Sequence, residues 1–304
     1  MNRRQFIRDV FLWSAGLTLV VPHFRIGPAA LAAKGPGPLV SVARGEEYAS
    51  LVTRVLEPLG SMAAFVRPGD RVVIKPNIGW DRNPDQGANT HPLVVQAVAT
   101  LAIGAGAKKV QVFDRTCNEE RRCYASSGIE EAIRGLDDRR VRIEHIDSRK
   151  FVPVHISRGK ALSEWEIYKD ALDCDCYINV PVAKHHGLSR LTLGLKNTMG
   201  VIGGNRGRLH HDLGQSLADL ATVVQPKLTI IDASRILLRN GPQGGDIADV
   251  KKTDTLIAST DPVAADAYAT TLFGMEPEEI ESTVAAYRMG LGEMDLARIR
   301  VRTV

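Results

Sequence analysis

The side chains best suited to chemistry are concentrated in one segment of the chain, residues 177–211. An apolar run predicts a buried strand at its start, and Lys184, His185 and His186 follow this strand directly. Imidazole can act as a base or a metal ligand, and a lysine amine can hold an anion or form a covalent anchor. Such loops often carry binding sites, although a solvated basic loop is the alternative. We therefore expect an anion or metal site here, with Lys184 and His185 as candidate catalytic residues.

A second histidine pair lies downstream, in a glycine-rich loop that also holds Arg206 and Arg208. Because adjacent side chains point apart in an extended chain, each histidine pair is expected to give one residue to a shared site. A centre with four histidine ligands is therefore not expected. The candidate metal ligands are His185, His186, His210 and His211.

Lys196 and Asn197 follow a run in which leucines occupy alternate positions. A lysine this close to apolar side chains is expected to be partly desolvated, which lowers its pKa. The alternative is a lysine that buries only its stem and keeps its amine in water. Lys196 is a third candidate catalytic residue.

Strands and helices alternate along the chain and would position these residues. Apolar runs predict strands at 39–43, 71–74, 109–113, 141–146, 152–156, 165–168, 177–182, 228–231, 255–258 and 299–301. Periodicity and capping residues predict helices at 46–59, 129–136, 213–224, 262–273 and 278–288, and one that begins near Pro92 and stops at 104–106. This alternation predicts an α/β fold with a mostly parallel sheet and flanking helices, as one domain or as two lobes with the site between them.

Five of the predicted strands end in polar residues, and ligands bind at the carboxyl ends of the strands in parallel sheets. We expect these ends to meet in one crevice, with Asp114 as a fourth candidate catalytic residue. Helix capping is a sufficient alternative role for Asp261, whereas Asp266 lies inside the same helix and could pair with a basic residue. The candidate substrate-binding residues are Lys75, Asn77, His91, Asn179, Asn197, Arg206, Arg208, Asp232, Asp261 and Asp266.

Residues 1–33 resemble a twin-arginine export signal. Arg3 and Arg4 precede an apolar run at 10–21, and an Ala-x-Ala site predicts cleavage after about Ala32. We expect the twin-arginine machinery to export the domain at 34–304 to the periplasm. An uncleaved membrane anchor is the alternative, although a run of about a dozen apolar residues is short for a bilayer. No later stretch is apolar enough to span one.

Composition excludes some classes of protein. The net charge of +4 comes mostly from the arginines of residues 1–33, and only 5% of residues are aromatic, so no nucleic-acid binding is expected. No Cys-x-x-Cys-x-x-Cys run indicates an iron–sulfur site. Cys117 and Cys123 could form a disulfide in an oxidising periplasm, and Cys174 and Cys176 are expected to be core residues, with a soft-metal site as the alternative.

Several blocks of the chain resemble the family called domain of unknown function 362, over about residues 39–290. They are VIKPN at 73–77, GAGAKKV at 104–110, INVP at 178–181, KHHGL at 184–188, LGLKNTMG at 193–200 and DPVAAD at 261–266. Some members of that family append a ferredoxin-like iron–sulfur module, which this chain lacks. The layout is also distantly similar to the nickel-dependent lactate racemase fold, which implies a lysine-tethered nickel pincer cofactor and histidine bases between two α/β lobes. That likeness carries no individual residues across.

The sequence thus favours an exported enzyme that acts on a small anionic molecule in the crevice. A metal ion or a nickel-pincer-like cofactor is a candidate, and the reaction class, isomerase or redox, stays open. The alternative is a non-enzymatic periplasmic protein that binds a ligand or handles a metal in the same crevice.

Overall fold

The computed structural model describes residues 36–304, so the predicted export signal and its cleavage site lie outside the described residues. The strands are β1 Leu39–Arg44, β2 Arg71–Pro76, β3 Lys109–Val112, β4 Val141–Ile143, β5 Phe151–His155, β6 Glu164–Tyr168, β7 Cys176–Val180, β8 Val182–His186, β9 Arg190–Thr192, β10 Leu228–Leu237, β11 Val250–Ser259 and β12 Arg300–Thr303. The α-helices are α1 Tyr48–Leu56, α2 Pro92–Gly104, α3 Glu120–Ser126, α4 Ile129–Arg134, α5 Lys169–Asp173, α6 Gly194–Asn197, α7 Leu213–Leu220, α8 Pro262–Thr270 and α9 Glu281–Arg288.

Ten of these strands form one sheet, in the order β12-β1-β11-β10-β7-β2-β3-β4, with β8 beside β10 and β9 beside β8. Most neighbours are parallel, whereas β11 runs antiparallel to both β1 and β10, and β9 antiparallel to β8. Strands β5 and β6 form a separate antiparallel hairpin. The predicted α/β class with a mostly parallel sheet is confirmed. Residues 36–304 form one compact unit rather than two lobes.

Alternation along the central strands sends apolar side chains to both faces of the sheet. Val72 and Ile74 of β2 pack in the core that includes α1, α2 and α4, whereas Val73 packs on the other face with α7 and the β5–β6 hairpin. A third core lies between α8, α9 and strands β1, β10 and β11. Because helices cover both faces, the central strands are apolar throughout, which made their positions easy to predict.

Several local features differ from the sequence-based expectation, among them the end of one strand and one additional helix. The strand predicted at 177–182 ends at Val180, and the chain then forms β8, so Lys184, His185 and His186 lie on a strand and not in a loop. Both β7 and β8 pair with β10, but the second neighbour changes between them, since β7 also pairs with β2 and β8 with β9. Helix α3 was not predicted because its sequence, ERRCYAS, is mostly polar.

The helices of the described region are short. None of those in residues 36–304 combines the length and the apolar character needed to cross a membrane.

Candidate anion-binding site

A cavity of about 560 Å³ opens beside the carboxyl ends of β2 and β3 and is closed on another side by β8, α6 and the turn Arg206–Asp212. Nine of the residues predicted for the site line it. They are Lys75, Asn77, Asp114, Lys184, His186, Lys196, Asn197, Arg206 and His210.

A buried ion pair forms the floor of the cavity. Nζ of Lys75 lies 2.9 Å from Oδ1 of Asp114, and both side chains are at most 3% exposed. Lys75 also donates to Oδ1 of Asn197 at 2.6 Å, while Oδ2 of Asp114 accepts the backbone N–H of Ile78 at 2.6 Å. Burial lowers the pKa of Lys75, and the Asp114 carboxylate opposes this shift. Hydrogen bonds from Ile78 to Asp114 and from Lys75 to Asn197 help to offset the cost of burying this charged pair.

Asn197 connects this pair to the neighbouring strand. Its Nδ2 donates to the Lys75 carbonyl at 3.1 Å and to Oδ1 of Asn179 at 2.8 Å. Asn179 in turn donates to the Gly194 carbonyl at 2.9 Å. Asn179 therefore supports the site from beneath and does not line the cavity.

Asp266 holds the short helix α6 that carries Lys196 and Asn197. Its two carboxylate oxygens accept the backbone N–H groups of Gly194 at 2.6 Å and Leu195 at 2.9 Å. Burial raises the pKa of Asp266 to about 7, although both hydrogen bonds favour the charged form. The predicted pairing of Asp266 with a basic side chain is wrong, because two buried N–H groups at the start of α6, which have no partner within the helix, donate to both of its oxygens.

Among the lysines of the cavity without a carboxylate partner, Lys184 is the most deeply buried, with 1% of the residue exposed. It donates to the Ala88 carbonyl and lies 5.9 Å from the centre of the Trp80 ring. Burial lowers the pKa of Lys184 to about 7. An amine in this state exchanges a proton readily near neutral pH.

Lys196 lies on α6 and contacts the sulfur of Met199 at 2.7 Å. Burial lowers its pKa to about 8, with Arg206 and Lys75 adding to the shift. The predicted desolvation of this lysine is therefore confirmed, and the alternative of a lysine with its amine in water is excluded by its 9% exposure.

The two histidines of the cavity both bind backbone atoms through Nδ1, which leaves Nε2 free on each ring but in different protonation states. Nδ1 of His186 accepts the backbone N–H groups of Leu188 at 3.1 Å and Ser189 at 3.3 Å, so the hydrogen of the neutral ring is on Nε2. Nδ1 of His210 lies 3.0 Å from the Gly207 carbonyl and must donate to it, which leaves Nε2 of its neutral ring as an acceptor. Burial, with Lys196 and Lys184, lowers the pKa of His186 to about 3. The cavity thus combines a neutral N–H donor with an imidazole acceptor.

Arg206 fixes the glycine-rich turn against the segment after β3. Its guanidinium donates to the carbonyls of Arg115 at 2.9 Å and Thr116 at 2.7 Å, and Nη2 lies 3.8 Å from the sulfur of Cys117. Arg115 also lines the cavity and donates to the Ile202 carbonyl at 2.8 Å. Both arginines therefore face the cavity with only uncharged partners.

Two of the predicted histidine ligands lie elsewhere. On β8 the side chains alternate, so Lys184 and His186 face the cavity while His185 faces away and accepts the Gly241 N–H at Nδ1, at 3.1 Å. The expectation that His185 lines the crevice is wrong for this reason. His211 is exposed and also lies outside this cavity. In residues 36–304 no three His, Cys, Asp or Glu side chains come together as a metal-binding group.

Three other predicted residues have structural contacts instead of cavity positions. Asp232 shares a face of β10 with Ile230, and its Oδ2 accepts the His91 N–H at 2.7 Å. His91 is the N-cap of α2 and stacks on Tyr48. Asp261 is the N-cap of α8 and accepts the N–H groups of Val263 and Ala264 at 2.9 Å, the capping role considered for it.

The expectation that all five strand ends meet in one crevice is wrong, because β11 is antiparallel to β10. Its carboxyl end, followed by Asp261, lies beside the start of β10, at the opposite edge of the sheet. Arg208 is exposed and does not line the cavity, although Arg206, two residues earlier, does.

Three of the lining residues that were not predicted carry side chains suited to binding. Arg115 directly follows the strand-end residue Asp114, Cys117 lies two residues further on, and Trp80 lies in the polar loop after β2. Their positions shortly after predicted strands were the sequence signal that could have identified them as site residues. The cysteines are all free, and the disulfide considered for Cys117 and Cys123 does not form because Cys123 is buried on α3 while Cys117 is exposed at the cavity.

Comparisons with known proteins give one family and one curated relative. A family model described as "Domain of unknown function (DUF362)" matches residues 72–271. A thylakoid-associated protein of Synechocystis sp. is 31% identical, in an alignment that covers 83% of this chain and 79% of that protein.

Two solved structures are similar to this chain at a TM-score below 0.5. A protein from Thermotoga maritima has a TM-score of 0.44 at 10% identity, covering 76% of this chain and 60% of its own. The lactate racemase apoprotein from Thermoanaerobacterium thermosaccharolyticum has a TM-score of 0.44 at 13% identity, covering 73% of this chain and 54% of its own. The chain thus spans less than two thirds of either, and similarity at this level does not extend to activity.

Proposed function

Because the chain belongs to the DUF362 family, whose name specifies no reaction, we propose its function from the site: it is an enzyme that acts on a small anionic molecule held in the cavity. The observation that supports this most directly is that Lys184, Lys196 and Arg206 surround one cavity and contact only uncharged protein atoms. A bound anion would stabilise the protonated form of the two buried amines, and the half-buried guanidinium of Arg206 is charged in any case.

Proton transfer is the chemistry that the two histidines support. Nε2 of His210 would accept a proton from a carbon or hydroxyl group of the bound molecule. The N–H of His186 would donate a hydrogen bond to the oxygen on which negative charge develops. The low pKa of His186 keeps its ring neutral, so it stabilises this oxygen without losing its own proton.

Of the candidate metal ligands, His186 and His210 line the cavity, one from each pair, but in residues 36–304 no third His, Cys, Asp or Glu side chain joins them as a metal-binding group. No step is therefore assigned to a metal ion. The proposed proton transfer needs only the side chains of this chain.

Deuterium exchange tests the reaction class. The protein would be incubated in D₂O with a panel of small 2-oxo and 2-hydroxy carboxylates, including dicarboxylates, and the carbon-bound hydrogens followed by NMR. We expect loss of one carbon-bound signal with the wild type and not with His210→Gln. Ligand binding without exchange would favour the non-enzymatic binding protein, and the absence of binding would contradict the anion site itself.

We also propose that the twin-arginine machinery exports the chain and that residues 34–304 are the mature domain. The paired arginines and the apolar run support this. The named location of the relative, at the thylakoid, is compatible with a protein that works near a membrane. Export should stop in the double variant Arg3→Lys, Arg4→Lys, with the protein retained in the cytoplasm. Continued export of that variant would contradict the proposal.

A further inference from the structure

The cavity carries more positive charge than its own residues neutralise. Asp114 is the one carboxylate among the described residues that line it, and Lys75 pairs with it at 2.9 Å. The second oxygen of Asp114 accepts the N–H of Ile78. The negative charge of Asp114 is therefore already committed, and it does not balance the other cations.

Four further cations line the same cavity and have only uncharged partners within residues 36–304. Lys184 donates to a carbonyl and Lys196 to the sulfur of Met199. Arg115 and Arg206 donate to backbone carbonyl oxygens. An anionic ligand would be favoured here, because Arg115 and Arg206 are half-buried and have no carboxylate within ion-pair distance.

Resting on the function proposed above, we propose that the ligand of this cavity is a small organic compound with two negative charges. The two arginines stay protonated at any physiological pH, so at least two positive charges are permanent. The two lysines can release their protons instead, as the lowered pKa values of about 7 and about 8 indicate. A dianion balances the arginines, whereas a monoanion leaves an unbalanced charge.

The lining also indicates a carbon skeleton between or beside the charged groups. Trp80, Leu188, Met199 and Pro242 line the cavity together with the cations. These side chains offer apolar contact, which inorganic anions cannot use. A short dicarboxylate or an organic phosphate has the required combination.

Calorimetric titration with malonate and acetate at neutral pH and low salt tests the charge requirement. We expect malonate to bind at least about tenfold more tightly than acetate, or about 1.4 kcal/mol. Equal affinities, or a preference for acetate, would overturn the assignment of two charges while leaving an anion site in place. Binding of neither anion would overturn the proposed function as well, so the two failures are distinguishable.

A matched pair of variants locates the effect. Arg206 lines the cavity and Arg208, on the same turn, is exposed outside it. In Arg206→Met the preference for malonate should fall to about threefold or less, whereas Arg208→Met should keep the wild-type ratio. Lys196→Met provides a second cavity variant should the loss of the Arg206 contacts unfold the turn. An unchanged ratio in both cavity variants would overturn the proposal.

Discussion

The histidines at 185 and 186 show how one residue of register decides which side chain reaches a site. Both rings accept backbone N–H groups at Nδ1, so both have the same kind of structural contact. They differ in that His186 faces the cavity and His185 the opposite side of β8. Sequence spacing alone cannot distinguish the two. Which of them faces the cavity depends on where β8 lies in the sheet, and the bounds of β8 were not predicted.

Alanine substitution of each histidine distinguishes a role in ligand binding from a purely structural role. His186→Ala should weaken malonate binding by about threefold to tenfold, the value of one hydrogen bond, while His185→Ala should leave it unchanged. Both variants should lose a similar free energy of unfolding, about 1 kcal/mol, because each frees backbone N–H groups. Calorimetric titration and urea unfolding measure the two effects. Weaker malonate binding in His185→Ala would contradict the assignment.

Gly200 is required by close approach rather than by backbone conformation. A Cβ at this position would lie 1.8 Å from Oδ1 of Asp114 and 2.4 Å from Nζ of Lys75. Flexible side chains could normally move aside, but these two are buried and paired with each other. Gly200→Ala should therefore break the pair and lower the free energy of unfolding by about 2 kcal/mol or more.

Gly104→Ala is the matched control for this substitution. Gly104 ends α2, and nothing lies within 4 Å of a Cβ added there. Alanine favours the helix over glycine, so this variant should be unchanged or slightly more stable in urea unfolding. Equal destabilisation of the two variants would show that the Lys75–Asp114 pair is not the cause.

At the scale of elements, Asp266 on α8 fixes the position of α6, which carries two residues of the cavity. Asp266→Ala leaves two buried N–H groups without partners, and each costs about 1–3 kcal/mol. We expect a lower free energy of unfolding and also weaker malonate binding, because Lys196 and Asn197 lose their support. Asp261→Ala, which removes the cap of α8 itself, should destabilise the protein with no comparable change in malonate affinity. A normal affinity in Asp266→Ala would contradict the positioning role.

The strands were predictable to the extent that burial determined their sequence. Apolar runs such as 71–74 identify central strands because helices cover both faces of the sheet. Lys75, Asn77 and Asp114 could then be placed in the site, since they follow parallel neighbours β2 and β3. The same rule failed for Asp232 and Asp261, because strand direction and continuation depend on tertiary pairing. The break between β7 and β8 falls at Pro181, where the second neighbour changes from β2 to β9, and this tertiary pairing was not predictable from the apolar run.

At the scale of the whole molecule, two buried site groups make stability depend on pH in opposite directions. The pKa of Lys184 falls from 10.5 to about 7 on folding, so between these values only the unfolded chain binds the proton, and stability decreases as pH falls. The pKa of Asp266 rises from 3.8 to about 7, so the folded chain retains a proton that the unfolded chain releases, and stability decreases as pH rises. The combined contribution of Lys184 and Asp266 to the free energy of unfolding is therefore lowest near pH 7. An anionic ligand that pairs with Lys184 would stabilise the protein most in that range.

Lys184→Met tests this dependence, because it keeps an apolar stem and removes the amine that titrates. Relative to the wild type, the variant should gain stability as the pH is lowered from about 10 to about 7, since only the wild type has to keep a buried amine neutral there. Urea unfolding at the two pH values measures the difference, and other groups titrate equally in both proteins. Lys251→Met, at an exposed position on β11, should show no such change. A Lys184→Met difference that is the same at both pH values would mean that Lys184 keeps an ordinary pKa, and burial would then not make this amine available for proton exchange in the site.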